Sequence, residues 1–193
     1  MSETNRGPDG RGHDDGQAVA ELVARQQITD VLYRRARAGD RRDVDLALRC
    51  YHPGATEDHE GFTGSAADFI QNVSMISPGS TAPVTSLWHL ISNVLIDLHD
   101  EEADVESYHI ALVVRTDGGH EMQSWIGGRY LDRFASRDGR WAITHRQVVF
   151  DWSRTDRPSE PYWELVGLDE SKLLRGRFGP DDPLYTDLKV SRG

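Results

Sequence analysis

After Pro83 the apolar pattern of this chain changes its period from 3.6 residues to 2, and it keeps that period almost to the C-terminal region. Segments 87–98, 103–116, 122–134 and 141–152 alternate as β-strands do. Their separators, Asp100-Glu101-Glu102, Asp117-Gly118-Gly119 and Arg137-Asp138-Gly139, carry hairpin chemistry. Four long strands joined by tight turns make an antiparallel meander. Gly127-Gly128 lies inside the third and marks a bulge that bends the sheet.

The chain before Pro83 reads as helical. Val19, Leu22, Val23, Ile28, Val31 and Leu32 recur near helical spacing, so a helix runs from Ala18 to about Ala38, with Gly39 as its C-cap. Asp43 can cap a second short helix containing Leu46, Leu48 and Tyr51. His52-Pro53-Gly54 breaks the chain, and a short strand is possible at 55–58. Gly64 to Met75 reads as a third helix with Phe69, Ile70 and Val73 on its apolar side, and Pro78 and Pro83 bracket a loop. Helices preceding a curved meander must pack on one of its faces. The expected fold class is therefore α+β, an open half-barrel with a cavity between sheet and helices.

Residues 1–16 are polar and glycine-rich and read as a disordered tail; residues 17–155 form the domain. Residues 156–193 carry Pro158, Pro161, Pro180 and Pro183 with Tyr162, Trp163, Phe178 and Tyr185. A short helix is expected over 162–174, then an extended arm that packs on the domain or on a neighbouring subunit.

With 193 residues, 37% of them hydrophobic, one core is sufficient. A net charge of −10 leaves no basic surplus to neutralise phosphates, which disfavours a nucleic-acid partner. Cys50 is the only cysteine, and no apolar run reaches the roughly 20 residues that a membrane span needs. Both fit a cytoplasmic protein without a membrane partner. No phosphate loop or nucleophile elbow is present. His52, Asp58 and His59 lie close in sequence but lack a metal-binding framework, so no metal is expected.

The helix–Asp opening Ala38-Gly39-Asp40, Tyr51-His52-Pro53-Gly54-Ala55, Trp88-His89-Leu90-Ile91-Ser92-Asn93, and Gly127-Gly128-Arg129-Tyr130 through Asp138-Gly139-Arg140-Trp141 resemble the SnoaL-like branch of the NTF2-like superfamily. The resemblance covers about residues 18–155. It implies an NTF2-like cone and, among its enzymes, is nearest in flavour to scytalone dehydratase, bile-acid 7α-dehydratase and hexachlorocyclohexane dehydrochlorinase. Those enzymes use no cofactor and eliminate water or HCl with an Asp–His pair. The resemblance places that pair at Asp40 and His89, with a late arginine matched best by Arg146 and alternatively by Arg129. Where the bile-acid enzyme has a tyrosine, five residues before its Asp, this chain has Arg35; the nearest tyrosine is Tyr33.

Strand alternation puts His89, Ile91, Asn93 and Leu95 on one face, without saying which face lines the cavity. Tyr33, Asn93, Tyr108, Trp125 and Arg129 are the candidate substrate-binding residues. The expected function is a cofactor-independent dehydratase, isomerase or cyclase acting on a small hydrophobic cyclic substrate, with His89 as general base held by Asp40. The alternative is a non-catalytic ligand-binding or assembly subunit resembling the β subunits of ring-hydroxylating dioxygenases. A homo-oligomer is expected, a trimer before a dimer, because both meander faces are apolar and the related dehydratases form trimers.

Overall fold

The computed structural model describes residues 11–59, 61–73, 83–158 and 162–188. Helix α1 (Arg11–Arg41) leads into α2 (Val44–Arg49), followed by strands β1 (Tyr51–His59) and β2 (Phe62–Ser65). A single turn, α3 (Ala66–Asp68), continues as a π-helical turn over Phe69–Val73. The meander is β3 (Val84–His99), β4 (Glu102–Asp117), β5 (His120–Arg137) and β6 (Arg140–Asp156). The six strands form one curved, unclosed sheet in the order β2-β1-β6-β5-β4-β3, antiparallel throughout except for β1 beside β6. No described helix is long and apolar enough to cross a membrane.

The hairpins follow their turn residues. Gly118-Gly119 and Asp138-Gly139 each take positive φ at both positions, the backbone that matches the twist of paired strands. Bulges bend the sheet at Ser92–Leu95, at Gly127/Gly128 and at Arg133/Phe134. The two glycines at the second bulge are required sterically. A Cβ on Gly127 would sit 2.2 Å from the Trp152 ring, and one on Gly128 would sit 2.0 Å from the Val149 carbonyl oxygen.

Helix α1 lies across the concave face against β3 and β6. Ile28, Leu32 and Ala38 meet Leu46, Ile70, Val105, Phe134 and Ile143 in the core. The helix also departs from the sequence reading at both ends. It begins at Arg11, so residues 11–16 are helical rather than tail, while residues 1–10 lie outside the described residues. Val19, Leu22 and Val23, part of the apolar recurrence at helical spacing, are half or more exposed. Gly39 is not the cap. Arg42 takes the left-handed turn (φ 52°), and Asp43 N–H donates to the Ala38 carbonyl (2.9 Å), a Schellman closure around the last turn.

Asp43 caps α2 through Leu46 N–H (3.1 Å), as expected. Tyr51, expected in that helix, instead opens β1, which runs through His52-Pro53-Gly54 by means of an irregularity between Tyr51 and Thr56. β2 has no counterpart in the sequence reading. The third helix begins at Ala66 rather than Gly64 and is partly π-helical, and residues 74–82, with Pro78, lie outside the described residues. In the C-terminal region, α4 (Tyr162–Leu165) is one turn long. The described part of the arm holds a 3₁₀ turn at Gly179–Asp181 and α5 (Pro183–Thr186), where an extended run was expected.

Candidate active site

The last turn of α1 faces the middle of β3. Asp40, in that turn, and His89 are joined by a hydrogen bond of 2.6 Å between Oδ1 and Nδ1. Both side chains are largely sheltered, at 8% and 17% exposure. Gly39 leaves the helix surface open here: a methyl group on it would lie 3.7 Å from His89 Cε1 and 3.4 Å from Arg35 Nη1. With Nδ1–H donated to the carboxylate, Nε2 keeps its lone pair, and no described residue bonds to it.

Sheet register decides which residues share the interior with His89. His89 pairs with Ala111 and Ile91 with His109. The concave face of β4 is therefore Ala103, Val105, Ser107, His109 and Ala111, all buried. Across β5 and β6 it continues through Tyr130, Asp132 and Arg146, and reaches Glu57 on β1.

This interior is polar. Arg146 donates from Nε and Nη2 to the two Asp132 carboxylate oxygens (2.7 Å each) and lies 4.1 Å over the Tyr130 ring. Although burial opposes its charge, Asp132 holds Arg146 protonated. Tyr51 Oη donates to Glu57 (2.6 Å) and accepts from Arg35 Nε (3.2 Å). Glu57 also bonds His59 Nδ1 (3.2 Å). Burial works against the Glu57 charge, but His59, Arg35, Arg146 and Tyr51 together hold its carboxyl below the usual range. His109 stacks flat on Tyr130 at 4.2 Å. Burial, reinforced by His89 and Arg146, lowers its pKa to about 4, so its ring is neutral. Among the described residues, His109 Nδ1 and Ser107 Oγ are buried without a hydrogen-bond partner.

The sequence-derived candidates thus separate. Asp40, His89 and Arg146 come to the concave side. Tyr108, Trp125 and Arg129 do not: register and alternation put them on the opposite, convex face. There Tyr108 is 44% exposed, and Arg129 pairs with Asp151 (3.1 Å) and Glu106 (3.2 Å). Asn93 leaves the His89 face because it is the left-handed residue of the β3 bulge (φ 47°) and is exposed. The same bulge turns Leu95 outward. Tyr33 is half exposed on α1. Reasoning from sequence missed Ser107, His109, Glu57 and Asp132; the alternating small and polar run from Ala103 to Ala111 was the available signal.

His52, Asp58 and His59 do not converge. His52 binds the Ala135 carbonyl oxygen (2.9 Å) and Arg140, Asp58 accepts from Thr63, and His59 stacks on Phe69. No metal-type cluster of His, Cys, Asp and Glu occurs among the described residues.

A SnoaL-like domain model matches residues 20–147. The chain belongs to the SnoaL-like domain family. Solved structures agree on the fold. A hexachlorocyclohexane dehydrochlorinase, LinA-type3 from Novosphingobium barchaimii LL02, aligns at 17% identity over 75% of this chain and 96% of that one, with a TM-score of 0.60. A type 2 LinA dehydrochlorinase gives 17%, 75%, 99% and 0.62. An NTF2-like superfamily protein from Salmonella enterica serovar Typhimurium LT2 gives 18%, 68%, 94% and 0.60. At such identities the likeness shows the NTF2-like fold. Comparison with curated proteins finds no match.

Proposed function

We propose that this SnoaL-like protein is a cofactor-independent lyase or isomerase whose general base is His89, oriented by Asp40. The observation that carries the reading is the 2.6 Å contact between them at the concave face of the sheet. In the proposed reaction, His89 Nε2 takes a proton from a carbon of a small hydrophobic cyclic substrate. The freed electron pair forms a double bond as halide leaves, or as a hydroxyl group leaves and takes back the proton from the His89 imidazolium to depart as water; alternatively it forms an enolate that is reprotonated or closes a ring. Asp40 fixes the tautomer and stabilises the imidazolium. Arg146, committed to Asp132, acts through its charge, and Arg35, which like His89 borders Gly39, supplies a second positive charge for developing negative charge.

The test is a panel of cyclic hydroxy-ketones and halogenated cycloalkanes, followed by mass spectrometry for loss of water or HCl and for solvent-deuterium uptake. Turnover by the native protein that disappears in His89→Ala supports the reading. Undiminished turnover in His89→Ala eliminates it.

A further inference from the structure

A cavity of about 890 Å³ opens between α1, α2, β1 and the start of β6. Neither Asp40 nor His89 lines it. Four arginines do: Arg34 and Arg37 from α1, Arg49 from α2 and Arg140 from β6. No aspartate or glutamate is among the described lining residues, in a chain with 32 acidic and only 22 basic residues. Chance would favour the opposite sign.

The guanidinium groups are partly set in place. Arg140 donates to the Arg49 carbonyl oxygen (2.9 Å) and to His52 Nδ1 (3.2 Å). Arg34 stands at the rim, paired with exposed Asp30 (3.4 Å). Arg37 Nε is buried with no hydrogen-bond partner among the described residues, and Arg37 lines the cavity. Beneath the arginines the walls are apolar, formed by Val31, Leu46, Tyr51 and Trp141. The volume is that of a site for an organic molecule, which typically needs about 300–1,000 Å³, rather than for a single inorganic ion.

We infer that this cavity binds an amphipathic organic anion, its apolar body against Leu46, Tyr51 and Trp141 and its phosphate or carboxylate head among Arg34, Arg37 and Arg140. Guanidinium groups favour such heads because their planar donors match two oxygens at once. The apolar walls exclude a free phosphate as the preferred occupant.

Calorimetric titration of the full chain with octyl phosphate, octanoate, octyl glucoside and inorganic phosphate tests the inference below micellar concentrations. Octyl phosphate or octanoate should bind, whichever binds more tightly naming the head, and should weaken as salt rises. Octyl glucoside and inorganic phosphate should bind at least tenfold more weakly. Arg37→Gln combined with Arg140→Gln should lower affinity at least tenfold. Arg34→Glu, an exposed change that spares the fold, should lower it severalfold, with circular dichroism confirming native structure. His89→Ala should leave binding unchanged, which separates this site from the proposed active site. Absence of anion binding, equal binding of glucoside or phosphate, indifference to the arginine changes, or loss on His89→Ala would each overturn it.

Discussion

Asp40 Oδ1 and His89 Nδ1 meet at 2.6 Å across 49 residues of chain, one from the last turn of a helix and the other from mid-strand. Asp40→Asn keeps the side-chain shape but can turn its amide N–H₂ toward the ring, so Nδ1 no longer has to carry the proton. Under the proposed mechanism, turnover falls about 10²–10⁴-fold, while thermal stability changes little. Steady-state kinetics beside a melting curve checks both. Native activity in the variant removes the orienting role of Asp40.

The pair Asp132 and Arg146 makes a stability prediction that needs no substrate. Both are buried and joined by two 2.7 Å hydrogen bonds. Removing one partner strands the other charge, so Asp132→Asn or Arg146→Met should each cost about 3–5 kcal/mol. Replacing both with apolar residues should cost much less. Urea unfolding of the singles and the double measures the coupling; additive losses would show that the pair is not the cause.

His109 sets an acid limit. Its pKa is about 4 in the folded chain and 6.5 in the unfolded one. The unfolded state therefore binds more protons between these values. The stability from keeping this ring neutral is complete above pH 6.5 and is lost as pH falls toward 4, by at most about 3 kcal/mol. The groups acting on it include His89, Arg146, His59 and Asp151. His109→Gln should flatten the melting temperature between pH 6.5 and 4 relative to the native protein, and an unchanged slope would assign the acid limit to other groups.

The strand meander was legible because two-residue turns and strict alternation are local signals. The Asp40–His89 contact was legible only through resemblance, since no local rule joins a helix end to a distant strand. The wrong faces were chosen where local signals fail. Tyr108, Trp125 and Arg129 alternate as regularly as their inward neighbours, and both faces carry large apolar residues. The bulge at Asn93 shifts alternation by a step that a non-glycine residue does not announce. Gly39 looked like a cap, yet it lies inside the last turn of α1, beside Arg35 and His89. The arginines of the side cavity are scattered from 34 to 140, so only the fold collects them.

If the chain forms the expected homo-oligomer, the convex sheet face is the surface that neighbouring copies would cover. Trp88 (56% exposed), Leu90 (52%) and Trp152 (50%) lie on it with Tyr108, next to Ile110, Leu112 and Trp125. Such a contiguous patch is unfavourable in water. Light scattering at micromolar concentration should give a mass near three chains, and Trp88→Glu with Leu90→Lys should reduce it toward one. A monomeric native protein would contradict this.

Residues 178–185 of the C-terminal arm pack against the corner that carries Asp40. Arg41 lies between Asp40 (4.0 Å) and Asp182 (3.4 Å). Tyr185 donates to Asp43 (3.1 Å), and Arg42 lies 4.0 Å over the Phe178 ring. Asp182 organises this docking: it is 97% buried, caps α5 through Leu184 N–H (3.0 Å) and accepts from Arg177 N–H (2.9 Å). Burial opposes its charge, but Arg177, Leu184 and Arg41 hold its carboxyl below the usual range. Asp182→Ala should therefore detach residues 177–186 while the domain stays folded, which faster amide exchange confined to those residues would show. If the arm gates the cavity, as lid segments do, deleting residues 157–193 leaves a folded protein with weaker substrate affinity or slower turnover. Full activity in a stable truncation would reduce the arm to a cover for the α1–α2 corner.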